Sequence, residues 1–200
     1  MSRVLLVLGH GRVSGLGHRI LEVARKALVE ADTPHRVQDL LADGFDPRLR
    51  LTAGATHAAA CSAEEDPLVH RYQEDVRWAD AIVVVHPVWW FAPPAILKGW
   101  VDRVLVDGVA IRLETNRPPS PLLGGRRALV VQTFSATKTV DRILLRGLAG
   151  RFWSQAVFRT TGIERVTRLA LHGVTDLGDA RLGRFEAKVR REVARLGESR

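Results

Sequence analysis

Trp89, Trp90 and Phe91 stand together between Pro87 and the Pro93-Pro94 pair. Rigid prolines on both sides hold such a turn open, and loops at strand ends face solvent, so three large rings there are hard to explain as ordinary packing. Backbone amides on the turn can reach the polar edge of a flat heterocycle while the rings cover its face, which is what an isoalloxazine needs. The competing explanation is that the rings fill a local core or a subunit interface, and the two roles can coexist.

A second candidate precedes it in the chain. Gly9, Gly11, Gly15 and Gly17 alternate with His10, Arg12 and Ser14 in GHGRVSGLG, a run that opens a helix. Glycines let backbone amides approach an anion, and the amino end of a helix is positive, so a phosphate is the natural guest. Three readings stay open at this point. The run fits a loosened dinucleotide fingerprint, with Asp39 placed to meet a ribose; it fits equally the monophosphate of a flavin nucleotide; or the glycines only turn the chain.

Other chemistries lack their residues. The single Cys61 cannot close an intramolecular disulfide, has no candidate base near it in sequence, and leaves no zinc spacing. His18, His35, His57, His70 and His172 are scattered, as expected of surface or satisfied histidines. Lys98 and Asp102 lie one helical turn apart and read as a salt bridge.

These segments need a frame. At 200 residues, 46% hydrophobic and 26% charged, the chain suits one domain, residues 1–200, with a sizeable core. No apolar run approaches the roughly 18 residues that span a bilayer, and the chain enters VLLVLGH without a basic leader, so a cytoplasmic protein is expected. The formal charge of +8 is uneven: residues 101–200 carry 19 basic and 10 acidic side chains, against 11 and 12 in residues 1–100. Only four of the 30 basic residues are Lys, and the excess reads as an arginine-biased solvated face rather than a nucleic-acid surface.

Hydrophobic patterning predicts strands at 3–8, 35–40, 81–85, 127–133 and 166–172. It predicts helices at 16–29, 67–78, 94–106, 139–153 and 182–196, the second opened by a Ser62/Glu65 capping box. Residues 44–64 and the ETNRPPSP excursion read as loops. Strand and helix alternate five times, which argues an α/β doubly wound parallel sheet. Ligands bind beyond the carboxyl ends of such strands, where His10–Gly17, Pro87–Pro94 and Thr133–Thr137 fall.

WADAIVVVHPVWWFAPPAILKGWVDRVLVDGVA, preceded by FDPRL and followed by PLLGGRRALVVQT, resembles the flavodoxin-like NAD(P)H:quinone oxidoreductases, a family that includes ancillary flavoproteins of potassium-efflux antiporters. The resemblance extends weakly through TGIERVTRLALHGV. It implies a flavodoxin-like five-stranded sheet of order 2-1-3-4-5 and an enzyme binding FMN, with FAD possible. It also implies NAD(P)H as electron donor, a quinone or similar small acceptor, and two-electron ping-pong hydride transfer in a homodimer. Docking on a membrane transporter and a flavin-free NAD(P)-binding protein are the alternatives. Carried over by position, His10 matches the family histidine after the first strand. Pro87, Val88, Trp89, Trp90 and Phe91 match its aromatic turn along the flavin ring, and Thr133, Phe134, Ser135 and Ala136 its third loop, whose N–H groups face the ring's other edge. The family's serine-phenylalanine-asparagine stands here as Gly15, Leu16 and Gly17, leaving Ser14 as the available hydroxyl. No catalytic side chain and no metal are implied.

Overall fold

The protein is seen in a computed structural model, which describes residues 2–49, 66–114 and 116–198. In chain order the elements are β1 (Val4–Leu8), α1 (Leu16–Glu30), β2 (His35–Asp39), α2 (Pro67–Trp78), β3 (Ala81–Pro87) and α3 (Ala95–Val104). They are followed by β4 (Ile111–Arg112), β5 (Ser120–Pro121), β6 (Arg127–Thr133), α4 (Leu148–Arg151), α5 (Phe158–Thr161), β7 (Arg165–Leu171) and α6 (Asp179–Gly197). The main sheet runs β2-β1-β3-β6-β7 with every pair parallel, which is the expected order 2-1-3-4-5 once the short β4/β5 pair is set aside.

The wholly apolar strands follow from burial on both faces. Side chains alternate, so Leu5, Val7, Ile82, Val84 and Val130 pack on one side with residues of α2 and α3, including Val76 and Trp100. Leu6, Leu8, Val83, Val85 and Val131 pack on the other with Ile20 and Leu28 of α1 and Phe185 and Val189 of α6. The expected salt bridge is present, with Lys98 Nζ 2.6 Å from Asp102.

Two expectations are corrected and a third falls outside the described residues. Ser62 and Glu65 lie outside the described residues; α2 is capped by Asp66, whose carboxylate accepts the N–H groups of Leu68 and Val69 at 3.1 and 3.3 Å. Asp beside a first-turn proline satisfies the helix start on its own. The excursion after α3 contains the small antiparallel pair β4/β5. The helix expected at 139–153 is broken into the π-helical turns Val140–Leu144 and Phe152–Val157 with α4 between them. The break falls where Arg146 and Gly147 take left-handed conformations, φ 49° and 68°.

The FDPRL segment and the lysine-glycine-tryptophan of α3 prove to be one packing unit. A Cβ on Gly99 would lie 2.3 Å from the Pro47 carbonyl oxygen, so only glycine lets that segment cross the helix. Arg103, one turn later, donates to the Asp46 carbonyl and to Asp66 at 2.6 Å. The Trp100 indole N–H donates to Gln38 at 2.8 Å.

Candidate functional site

The aromatic turn leaves β3 and folds back at once. Trp89 and Ala92 exchange both backbone hydrogen bonds at 3.0 Å, and the two residues between them, Trp90 and Phe91, have φ of 49° and 58°. Two successive positive φ values are what Asn-Gly ordinarily supplies in such a turn; in bulky L residues each costs about 1–2 kcal/mol. The turn presents Trp90 almost wholly to solvent, 95% exposed, with Trp89 at 60%. Trp90→Gly, which removes a side chain with almost no burial to lose, is therefore expected to raise the thermal midpoint by a few degrees, relief of strain outweighing about 0.5–1 kcal/mol of added chain entropy. A fall in the midpoint would show that the turn is not strained.

The third loop is fastened beside it. Val88 N–H donates to Thr133 O at 2.8 Å, and Gly173 N–H and Val174 N–H donate to Ala136 O and Phe134 O at 3.0 Å each. Between the two loops lies a cavity of about 170 Å³ lined by Val88, Trp90, Phe91, Phe134, Ser135 and Ala136. Three N–H donors are expected on this loop, but that of Phe134 is engaged with Leu171 O at 2.8 Å, which ties the loop to the end of β7. The Ser135 and Ala136 N–H groups have no partner among the described residues and remain available.

The first loop sits on the same sheet edge without lining that cavity. A Cβ on Gly9 would strike Leu97 of α3 at 2.6 Å, and one on Gly17 would strike the His10 ring at 2.8 Å. These two glycines thus serve packing, whereas Gly15, at φ 136°, turns the chain into α1. Ser14 and Gly15 are exposed and Leu16 half-buried. No side chain caps α1 and no acid occupies its first turn, so its positive end is open to an anion. Burial holds His10 below the usual imidazole range. Asp39 is not free for a ribose, since its carboxylate accepts Ala42 N–H at 3.2 Å and faces His18 Nε2 at 3.2 Å.

Beneath the second and third loops runs a buried polar chain that patterning does not reveal. His86 Nδ1 donates to Pro87 O at 2.7 Å, and its Nε2 accepts the Trp153 indole N–H at 2.9 Å. Gln132, opposite His86 in the β3/β6 register, donates to Ala149 O and receives Arg168 Nε at 2.6 Å. Arg168 Nη2 then meets Asp141 Oδ2 at 2.9 Å, which also holds His172 Nε2 at 3.0 Å, and the His172 ring stacks on Phe134 at 4.7 Å. Burial, followed by the nearby Arg168 charge and partly offset by the Pro87 bond, pushes His86 down to about 4, so it is neutral near pH 7. Its donor at Nδ1 and acceptor at Nε2 agree with that state. The available signal is a polar residue at the carboxyl end of an otherwise apolar strand, as in VVVHP and VVQT.

A family model described as a flavodoxin-like fold matches residues 2–195. The chain belongs to the flavodoxin-like fold family. It is 32% identical over 170 residues, 74% of this chain and 62% of that protein, to the ribosyldihydronicotinamide dehydrogenase-like protein traD of Penicillium crustosum. It thus spans less than two thirds of that relative's length. Among solved structures, the NAD(P)H:quinone oxidoreductase of Methanothermobacter marburgensis superposes with TM-score 0.75 at 24% identity, covering 100% of this chain and 98% of that one. The FMN-dependent NADH-azoreductase of Bacillus anthracis, solved with FMN, gives 0.74 at 18% identity, covering 99% and 100%. At these identities both likenesses speak to the fold alone. No helix among the described residues is long and apolar enough to cross a membrane.

Proposed function

We propose that this flavodoxin-like protein is a flavin-dependent oxidoreductase that takes hydride from NAD(P)H and passes two electrons to a quinone or similar small acceptor, with FMN as the bound cofactor. The observation that carries this reading is the cavity between the aromatic turn and the third loop. Its residues suit a flavin edge: two unengaged N–H groups on one side, aromatic rings on the other, and an uncapped helix start nearby for a phosphate. The name of the Penicillium crustosum relative points to the same chemistry.

When bound, the flavin supplies the hydride chemistry in two half-reactions, so that donor and acceptor use one pocket in turn. Within this reading, the Ser135 and Ala136 N–H groups stabilise charge at the ring edge as fixed donors. His10, Arg12, Ser14 and the α1 amino terminus from Gly15 to Gly17 hold the phosphate, and Trp89 and Trp90 position the ring and acceptor without moving protons. At about 170 Å³ the cavity is below the roughly 300 Å³ of a complete ligand site. With Trp90 in solvent, a second copy of the chain completes the site in a homodimer.

Titration with FMN and with FAD tests the reading. One flavin per chain, quenched tryptophan fluorescence and roughly tenfold weaker binding in Trp89→Ala or Trp90→Ala are expected. Parallel double-reciprocal lines are expected in steady-state turnover. If neither flavin spectrum is perturbed the cofactor assignment is wrong, and intersecting lines rule out the shared pocket.

A further inference from the structure

Outside the cavity described above, the strands β6 and β7 and the segment from Val140 to α4 and beyond border an open groove of about 490 Å³. Buried Val130 and Trp153 lie beneath it, half-buried Val166 brings apolar surface to it, and its walls carry Arg142, Arg146, Arg151 and Arg168, with no acidic residue among the described lining residues. Arg168 is held in place by Gln132 and Asp141, and a Cβ on Gly150 would lie 2.7 Å from its Cδ, so glycine there is what lets the guanidinium pass along the groove. Arg142 and Arg146 have no carboxylate partner among the described residues, and Arg151 has only the Gln155 amide at 3.2 Å. The acid nearest in the chain, Asp141, is wholly buried and already shared by Arg168 and His172.

Four guanidinium groups along one groove, answered by one engaged carboxylate, leave positive charge that an anionic ligand would meet. Guanidinium forks match carboxylate and sulfonate oxygens, and the groove has room for a ring system. We propose that this groove is a binding site for an amphiphilic organic anion, an aromatic carboxylate or sulfonate whose head meets Arg142, Arg146 and Arg151 while its ring lies over Val166 and the aliphatic stems of the arginines. The site is separate from the proposed flavin cavity and stands whether or not flavin binds. Its floor is nevertheless joined to the aromatic turn, because Trp153 donates to His86 and His86 to Pro87 O.

The test uses 1-anilinonaphthalene-8-sulfonate as probe, with uncharged 1-anilinonaphthalene as control, on the wild type, Arg146→Gln and Arg151→Gln. Both arginines are exposed, so the variants are expected to keep the wild-type thermal midpoint. One saturable site is expected, about tenfold weaker in each variant and at least tenfold weaker for the uncharged probe, with no displacement by excess FMN. Equal binding of the two probes, or wild-type affinity in both variants, would overturn the proposal. Displacement by FMN would assign the probe to the aromatic-turn cavity, and affinity that falls as protein concentration rises would assign the groove to a second copy of the chain; either overturns it.

Discussion

Acidification from pH 7 to pH 4 is expected to remove about 3 kcal/mol of folding stability through His86 alone. Its ring is fully buried, with the indole N–H of Trp153 on one nitrogen and the Pro87 carbonyl on the other. Protonating Nε2 would set a new donor against that indole, and the Arg168 charge opposes it further. Burial is the main reason that the folded value lies at about 4, against about 6.5 in the unfolded chain. Between those values the unfolded chain binds more protons, so stability rises with pH. The contribution is complete above about pH 6.5 and is lost as pH falls toward 4. Carboxylates titrate in the same range, so the informative quantity is the difference between wild type and His86→Gln in urea unfolding. The variant is expected to be less stable at pH 7 and to converge with the wild type near pH 4; curves that stay parallel would show that His86 is not held neutral by the fold.

Much of the fold is legible in the sequence because the parallel sheet writes its burial as continuous apolar runs. AIVVV and ALVV have no polar face, so their type and their place at the centre are readable without tertiary information. The three loops at the carboxyl edge follow from that alternation, and the structure brings the second and third of them together around one cavity. The segment after β6 is less legible. The stretch 139–153 has helical composition, yet it breaks at Arg146-Gly147 and winds into π-helical turns, in which Asp141 and Trp153 are buried at either end. Periodicity reports which face is apolar. It does not report that a buried carboxylate awaits an arginine 27 residues later, because the Asp141 to Arg168 pairing exists only once β7 is laid beside β6.

The same limit applies to the first loop. Its glycines spell an anion cradle in sequence, but two of them are fixed by neighbours that pattern cannot show, Leu97 against Gly9 and the His10 ring against Gly17. The lysine-glycine-tryptophan of α3 is likewise recognisable as a motif, while its cause, the crossing of Pro47 over Gly99, is a contact between segments about fifty residues apart.

Arg168→Met is expected to destabilise the protein by about 3–4 kcal/mol, as does removal of one partner from other buried ion pairs. Asp141 is fully buried, its Oδ1 has no hydrogen-bond partner, and its Oδ2 is shared by Arg168 and His172. Without the guanidinium, the carboxylate keeps one imidazole contact, and Gln132 loses the donor on its oxygen. A local loss of packing would cost the same whatever stands at 141, whereas a stranded carboxylate is relieved when Asp141 is made neutral. Asp141→Asn in the Arg168→Met background is therefore expected to recover at least half of the loss, giving a coupling of roughly 1.5–3 kcal/mol in a double-mutant cycle of denaturant midpoints. Additivity within about 0.5 kcal/mol would mean that the pair is not coupled. The consequence reaches the proposed site through geometry: Asp141 holds His172 under the Phe134 ring, and Phe134 lines the cavity between the two loops. Flavin affinity is accordingly expected to fall in Arg168→Met and to return with stability in the double variant, since the charge balance at Asp141 fixes where the third loop stands.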